Sequence, residues 1–125
     1  MSSPLDQPLP GAIRHDVGGA IVDEVAAGNG RVKRIVYPVG WRWSANMRPV
    51  VGTDRCMHAH VGYLAQGHVA VEYADGCRVD FVAPAVVVVA PGHDGWTVGD
   101  EAAVLIQFDW ARETADRCGL AEHRH

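Results

Sequence analysis

The stretch His68-Val69-Ala70-Val71-Glu72-Tyr73-Ala74-Asp75-Gly76-Cys77-Arg78-Val79-Asp80-Phe81-Val82 decides how this chain folds. Apolar and polar side chains alternate from residue 77 to residue 82, which is the pattern of a β-strand with one buried face. The residues at 74–76 are those of a tight turn, because Asp and Gly tolerate the backbone angles that such turns need. The stretch therefore predicts two strands joined by a turn.

Similar segments lie on both sides of this stretch and make the chain all-β. A turn signal, Gly28-Asn29-Gly30, precedes the first of them. The Gly40-Trp41-Arg42-Trp43-Ser44 segment also alternates, with both tryptophans on one face. Short strands in such number, separated by turns, predict a sandwich or barrel, and a closed barrel would remove exposed strand edges. The further predicted strands are Arg31–Val39, His60–Gln66, Val86–Ala90 and Ala103–Trp110.

The length of 125 residues is that of a single domain with one core. Residues 1–12, with Pro4, Pro8 and Pro10, are predicted to form an N-terminal arm. Residues 13–120 form the predicted β-barrel domain, and residues 121–125 a tail. Only the segment from Ala111 to about Leu120 has a helix-like composition.

The charge and composition argue against several classes of partner. The formal net charge is −4 and the isoelectric point near 5.9, with no run of Lys or Arg, so we expect no nucleic-acid partner. No window approaches the ~18 apolar residues of a membrane span, and the N-terminus lacks the pattern of a signal peptide. Three cysteines, an odd number without paired spacing, favour reduced thiols. We therefore expect a cytoplasmic protein without a membrane partner.

Two polar clusters indicate a functional pocket. In an extended strand, residues at every second position share one face, and the first cluster follows that spacing: Asp54, Cys56, His58 and His60. The second cluster contains His93, in a turn-like segment at residues 90–96. Strand-like sequence separates the clusters, so the fold is expected to bring them into one pocket.

The residue types in these clusters predict a metal site. A catalytic metal needs about three protein ligands and one open position. His60 and His93, with one or both of Cys56 and His58, satisfy that requirement. A mixed set of imidazole and thiolate ligands favours zinc or another late first-row metal over magnesium or calcium. Other interpretations stay open: His60 as a buried hydrogen-bonding group, Cys56 as a buried thiol, His58 as a rim residue, and His93 as a turn-stabilising group next to Asp94.

Six further residues are candidates for the pocket: Asp54, Gln66, Asp94, Trp43, Tyr63 and Trp96. Asp94 could orient His93 through a carboxylate–imidazole hydrogen bond, or it could only stabilise its own turn. The aromatic residues either pack in the core or line a cavity for a small organic ligand.

These segments resemble the cupin superfamily over residues 32–110. The resemblance rests on Gly40–Ser44, on Gly52-Thr53-Asp54 leading to His60–Tyr63, and on Pro91–Asp94 followed by Trp96. It implies a double-stranded β-helix, or jelly-roll barrel, that holds a divalent metal near one end. The donor residues leave zinc, iron, nickel and manganese as candidate metals. A homodimer is expected because many cupins dimerise.

The first cupin motif runs from a glycine through a His-x-His pair and a glutamate to a second glycine. It fits this sequence in two registers. Counted forward from Gly52, its two histidines are His58 and His60. Counted back from Gly67, its glutamate position falls on His60 and its histidine positions fall on Asp54 and Cys56. The second register is favoured because residues 60–66 then form one strand that ends at the glycine turn. The histidine position of the second motif falls on Gly95, with His93 two residues earlier.

The predicted function is therefore binding of a divalent metal, a small organic ligand, or both, inside the barrel. Resemblance implies an isomerase, a cyclase or an oxygenase that uses the metal to polarise a substrate oxygen. The alternative is a non-catalytic module that holds a metal or a small ligand.

Overall fold

The computed structural model describes residue 5, residues 7–110 and residues 114–120 of the chain. Within these residues the chain forms nine strands and three short helices. In chain order the elements are β1 (Ile13–Val17), β2 (Ala20–Ala27), β3 (Gly30–Tyr37), α1 (Trp43–Asn46), α2 (Arg48–Val51), β4 (His60–Gln66), β5 (His68–Tyr73), β6 (Arg78–Val82), β7 (Ala85–Val89), β8 (His93–Thr97), β9 (Ala103–Asp109) and α3 (Thr114–Arg117).

The larger of the two sheets has six antiparallel strands in the order β1-β2-β3-β9-β4-β7. Strands β2 and β3 form the predicted hairpin, since Ala27 pairs with Gly30 and leaves a two-residue turn between them. Gly28 in that turn has a φ of 60°, an angle that glycine adopts without steric cost. One face of β3, β4, β7 and β9 lines the core.

The smaller sheet has three antiparallel strands in the order β6-β5-β8. Its β5–β6 hairpin is formed by the predicted pair of strands between His68 and Val82, and Gly76 in the turn has a φ of 88°. The apolar residues of the two sheets face one another, and Leu64, Val71, Val87 and Leu105 lie in the shared core. The all-β prediction is confirmed.

The barrel is not closed, which corrects the expectation of a closed cavity wall. In the part of the chain that the structure describes, no ladder joins the two sheets. The reason lies at the end of β4, where the register shifts between Leu64 and Gln66. Gly67 then turns the chain into the other sheet, with a φ of 86° and no room for a side chain, because an added Cβ would lie 2.8 Å from the Ala102 carbonyl oxygen.

The Gly40–Ser44 segment does not continue as a strand, and this prediction was wrong. Only Arg42 makes an isolated bridge, to Trp96, and α1 begins at the next residue. Both Trp41 and Trp43 are nevertheless buried. The chain turns because the carboxylate of Asp94 accepts a hydrogen bond from the Ser44 backbone N–H at 3.0 Å, which holds the first turn of the helix.

The two ends of the chain are described only in part. The C-terminal helix α3 lies within the segment predicted to be helical, of which residues 111–113 are outside the described residues. Gln7 of the predicted arm accepts a hydrogen bond on its carbonyl oxygen from Arg34 at 2.6 Å. The division into arm, domain and tail remains a prediction. Among the described residues, no helix has the length and the apolar character that crossing a bilayer requires.

Candidate metal centre

The two polar clusters of the sequence meet at one edge of β8. Cys56 and His93 form an isolated bridge, in which the Cys56 N–H donates to the His93 carbonyl at 2.7 Å and the His93 N–H donates to the Cys56 carbonyl at 3.2 Å. His60 is the first residue of β4 and lies on the same inward face as Gly62 and Leu64. Backbone pairing therefore brings three side chains together from segments far apart in sequence.

The three side chains form a compact set of donor atoms. One ligand atom each from Cys56, His60 and His93 lies within 4.8 Å of the other two. The Cys56 Sγ is 3.8 Å from the His60 Nε2. A tetrahedral zinc ion with ordinary bond lengths would hold such a sulfur and nitrogen about 3.6 Å apart. The Cys56–His60 pair is therefore already close to the spacing of two ligands on one metal, and the three donors together lie within 4.8 Å.

Hydrogen bonds at the other nitrogen of each ring aim a lone pair at this centre. The Nδ1 of His93 donates to the carbonyl oxygen of Ala90 at 2.8 Å, so its Nε2 carries no proton. The Nδ1 of His60 lies 2.5 Å from the Oε1 of Gln107, an acceptor, and must therefore be the protonated nitrogen. Both imidazoles present a free Nε2, which is the form that binds a metal.

Burial favours the uncharged form of all three groups. It lowers the pKa of His60 to about 3, with the nearby His93 and His58 adding to the effect. Burial also lowers the pKa of His93 to about 4 and raises the pKa of Cys56 to about 11. At neutral pH the imidazoles are thus ready to coordinate, whereas a metal would have to displace the proton of the thiol.

A second layer of polar side chains supports His60 from β9. The amide of Gln107 donates through Nε2 to the Asp109 carboxylate at 2.6 Å. Asp109 also accepts from the His58 Nε2 at 3.0 Å, from Arg31, and from the Lys33 ammonium at 3.3 Å. Burial alone would raise the pKa of Asp109, but these donors outweigh it and hold that pKa below its usual range. Asp109 is therefore a buried carboxylate that stays charged.

The donor set lies in the wall of a cavity of about 260 Å³ between the two sheets. Most of the lining is apolar, and the aromatic part of it comes from Trp41, Trp43, Tyr37, Phe81 and Trp96. The polar lining includes Cys56, His58, His60, His93, Lys33 and Gln107. The cavity thus offers an apolar space with candidate metal ligands in its wall, at a volume below the ~300–1,000 Å³ usual for drug-sized ligands.

Comparison with solved structures identifies the fold of this chain. A cupin 2 conserved barrel domain protein from Salinispora arenicola superposes with a TM-score of 0.60 at 17% identity, over 90% of this chain and 93% of that chain. The Cnp3 cupin domain of Schizosaccharomyces pombe gives 0.55 at 13% identity, over 92% and 80%. This chain has the cupin fold.

A third cupin-like structure, from Thermotoga maritima, gives a TM-score of 0.52 at 14% identity and covers 76% of this chain and 71% of that chain. No protein-family model matches the sequence, and no curated protein matches it. At identities this low, the superpositions establish the fold alone. The chemistry has to be inferred from the residues of this chain.

Within the cupin fold, the predicted pocket residues separate into two groups. His58, Trp43 and Trp96 line the cavity together with the three donors. The side chains of the other three lie elsewhere: Asp54 is exposed on the loop before β4, Tyr63 is 45% exposed on the outer face of β4, and Gln66 donates to the Ala102 carbonyl at 3.1 Å. Gln66 lines a second surface cavity, because the bulge before it breaks the alternation of β4.

Asp94 does not orient His93, so that hypothesis was wrong. The two Asp94 oxygens accept from the Ser44 N–H and from the Arg42 guanidinium, each at 3.0 Å, and one of them also accepts from the Gly95 N–H at 2.9 Å. His93 is oriented instead by the Ala90 carbonyl. Adjacent residues of a strand point to opposite faces, which is why Asp94 and His93 serve different parts of the molecule.

Sequence reasoning missed Lys33, Gln107 and Asp109. A signal for two of them was present, because Leu105, Gln107 and Asp109 alternate along the last strand and share its inward face. Polar residues on the buried face of a strand require partners, so this pattern marks a polar site. Lys33 faces the same space because it pairs with Gln107 across β3 and β9.

Proposed function

We propose that this cupin-fold protein binds one divalent metal through Cys56, His60 and His93 and holds a small organic molecule in the adjoining cavity. One observation carries the proposal: a thiol and two imidazole nitrogens that bear no proton lie within 4.8 Å of one another. Three protein ligands with an open fourth position are the arrangement of a catalytic zinc site.

The donor set favours zinc, with iron, nickel and manganese as the alternatives. Two imidazoles and one thiolate are softer than the all-oxygen shells of magnesium and calcium. The Cys56 thiolate supplies the negative charge that a glutamate provides in the usual cupin motif. When bound, the metal would supply a Lewis acid that polarises an oxygen of the ligand. His60 and His93 would hold the metal in position, and the surrounding apolar walls would exclude water from the ligand.

The lining of the cavity favours a small ligand with a largely apolar body. Its volume of about 260 Å³ is bounded by aliphatic and aromatic side chains, including Trp41 and Trp43. An apolar ligand gains roughly 25 cal/mol for each Å² of its surface removed from water there. An oxygen on that ligand would reach the open metal position, since the donors lie in the same wall.

As a reaction, we propose that of an isomerase, a cyclase or an oxygenase, for which Cys56, His60 and His93 would hold the metal and the metal would supply Lewis acidity. A second candidate is a non-catalytic protein that stores or senses the ligand. The second is favoured by the mainly apolar lining of the cavity, where Lys33 and His58 are engaged by Asp109. Turnover of a bound small molecule by the metal-loaded protein would favour the first, and binding without turnover the second.

Metal content of protein purified without an affinity tag tests the proposal. We expect close to one metal per chain in the wild type and none in His60→Ala, because that change removes one of only three ligands. His68→Ala is the matched control, since His68 pairs with Asp80 on β6 and takes no part in the donor set. Equal metal content in the wild type and in His60→Ala, or none in the wild type, would contradict the proposal.

A homodimer and a cytoplasmic location also remain proposals. The dimer is supported by the apolar outer face of β4, β7 and β9, where Val86 is 73% exposed and Phe108 50% exposed. The location is supported by three cysteines that are all free.

A further inference from the structure

We propose that Gln107 is a positioning residue, which fixes His60 in the tautomer that turns a bare Nε2 towards the metal centre. The consequence for metal affinity rests on the proposed function. The tautomer itself is a property of the metal-free protein and stands apart from that function.

The orientation of the Gln107 amide follows from two of its three polar neighbours, His60 and Asp109, while His58 lies 3.4 Å from its nitrogen. The side chain is almost fully buried, with 1% of the residue exposed, and it lies between His60 and Asp109. A charged carboxylate can only accept hydrogen bonds, so the NH2 group of the amide must face Asp109. The amide oxygen therefore faces His60. An oxygen there can only accept, which requires the proton of the imidazole to reside on Nδ1.

The charge of Asp109 is what makes this orientation obligatory. Arg31 and Lys33, on neighbouring β3, both pair with its carboxylate. A neutral group at this position could donate to Gln107 as well as accept, and the amide would then be free to turn over. A chain of ion pairs and hydrogen bonds thus runs from the two cations through Asp109 and Gln107 to His60, which lies at the metal centre.

The backbone holds this chain of groups in place. Gly62, two residues after His60, pairs with Gln107 across β4 and β9. It lets the strands come so close that an added Cβ would lie 2.9 Å from the Gln107 Cα. Gln107 is therefore fixed relative to the strand that carries His60, and the hydrogen bond to Nδ1 does not depend on a mobile loop.

Loss of the amide would release His60 to place its proton on either nitrogen. A proton on Nε2 occupies the lone pair that the metal needs. Moving that proton to Nδ1 therefore reduces the net free energy of metal binding. Outer-shell partners of this kind typically change metal affinity by about 10- to 100-fold. We expect a loss in that range for Gln107→Leu, a change that replaces the amide by an apolar side chain of similar size.

Nitrogen-15 NMR of the metal-free protein is the direct test. In the wild type we expect the His60 pattern of a ring protonated at Nδ1, with His60→Gln used to assign the signals. In Gln107→Leu we expect signal of the Nε2-protonated form to appear. Gln66→Leu is the matched control, because Gln66 donates to the Ala102 carbonyl and touches neither His60 nor Asp109. A wild-type His60 protonated at Nε2 would overturn the inference, whether or not Gln107→Leu folds.

Chelator competition gives the second readout. Wild type and Gln66→Leu should bind zinc equally, and Gln107→Leu should bind it about 10- to 100-fold more weakly. Equal affinity in a folded Gln107→Leu, together with metal loss in His60→Ala, would reject the positioning role and leave the proposed metal site intact. Absence of metal from the wild type, with the Nδ1 tautomer present, would reject the proposed function and keep the tautomer assignment.

Discussion

At the scale of single residues, Gly62 shows how closely the strands that carry the site are packed. An added Cβ would lie 2.0 Å from the carbonyl oxygen of Ile106 and 2.9 Å from the Gln107 Cα. Both are backbone atoms of β9, which cannot rotate away as a flexible side chain would. The lack of a side chain at this position is therefore a condition for pairing β4 with β9.

Gly62→Ala should destabilise the protein by about 1–3 kcal/mol or more, because overpacking forces backbone shifts. Urea unfolding of the variant and the wild type measures the difference. Gly95→Ala is the matched control on β8, where a Cβ would meet its nearest atom, the Ala70 oxygen, at an ordinary 3.6 Å. If both variants lost stability equally, the close approach at Gly62 would not be the cause.

Asp23 gives the protein a predictable response to acid. Its carboxylate accepts hydrogen bonds from Arg14 at 2.8 Å and from Arg34 at 2.9 Å. These bonds, Arg14 foremost, lower the pKa of Asp23 to about 2 against the opposing effect of burial. The folded pKa lies below that of the unfolded chain, near 3.9, so the stabilisation is complete above pH 4 and is lost as the pH falls towards 2.

We therefore expect the free energy of unfolding to fall between pH 4 and pH 2, and to fall less steeply in Asp23→Asn. Denaturant unfolding across that range measures both slopes. Glu24→Gln serves as the control, since Glu24 makes only a longer 3.3 Å contact with Arg31. An unchanged slope in Asp23→Asn would mean that Asp23 is not responsible for the acid response.

The residues of the donor set were predictable because they follow the period of a strand or stand beside a turn. Cys56, His60 and His93 were all identified in this way. Gln66 was misplaced because a bulge changes the alternation just before it. Gln107 was missed because its role depends on pairing with a strand more than forty residues away, and no local pattern specifies that partner.

At the scale of elements, one carboxylate connects α1 to β8. Asp94 accepts from the Ser44 backbone and from Arg42, whose guanidinium also lies 4.3 Å above the Trp96 ring. The Asp94 side chain is only 5% exposed, so its partners would lose a buried acceptor if it were removed. Through α1, this contact also positions Trp43 in the cavity wall.

Asp94→Ala should cost about 1–3 kcal/mol, the usual penalty for leaving buried hydrogen-bonding groups without a partner. It should also speed amide hydrogen exchange in α1, beginning with the Met47 N–H that bonds to the Trp43 carbonyl. Asp80→Ala is the matched control, because the Asp80–Arg78 pair is exposed and such pairs contribute less than about 1 kcal/mol. Unchanged exchange in α1 would show that Asp94 does not hold the helix.

Most strands could be predicted from sequence because alternation and turn residues lie within the segment itself. Strands β4, β5 and β9 agree with the predicted segments to within a residue. The strand prediction for the Trp41–Ser44 segment was wrong for a physical reason. Its alternation is that of a strand, but the Asp94 carboxylate, from elsewhere in the chain, accepts the hydrogen bond of the Ser44 N–H in the first turn of α1. This contact between residues fifty positions apart in sequence outweighed the local pattern.

At the scale of the whole molecule, one face of the large sheet is unusually apolar for a surface. Val86 and Val88 on β7, Tyr63 on β4 and Phe108 on β9 are each at least 45% exposed. They project from neighbouring strands, since β4 pairs with both β7 and β9. Contiguous apolar surface of this kind is typical of a protein–protein contact.

We expect the protein to sediment at twice its chain mass of 13.5 kDa, and Val86→Lys to sediment as a monomer. A charge at the centre of an apolar contact is costly, because it loses its hydration without gaining a partner. Val79→Lys on β6, in the other sheet, is the control and should leave the mass unchanged. A monomeric wild type would reject the proposed homodimer.

The cupin fold was predictable as a whole because its polar motifs and its strand spacing agree. The open arrangement of the two sheets was not, since it depends on how β4 ends and where Gly67 sends the chain. Such a corner is set by packing between distant backbones, which no stretch of sequence specifies by itself.

The seam between the two sheets has a kinetic consequence. Along the line where β6 and β7 approach each other, no ladder joins the two sheets among the residues that the structure describes. If the cavity holds the small molecule proposed above, we expect that molecule to enter and leave along this seam through side-chain and loop motions, on the nanosecond-to-microsecond scale of such motions. Its exchange with the bulk would then be many orders of magnitude faster than global unfolding, so occupancy would follow the surrounding concentration almost instantly.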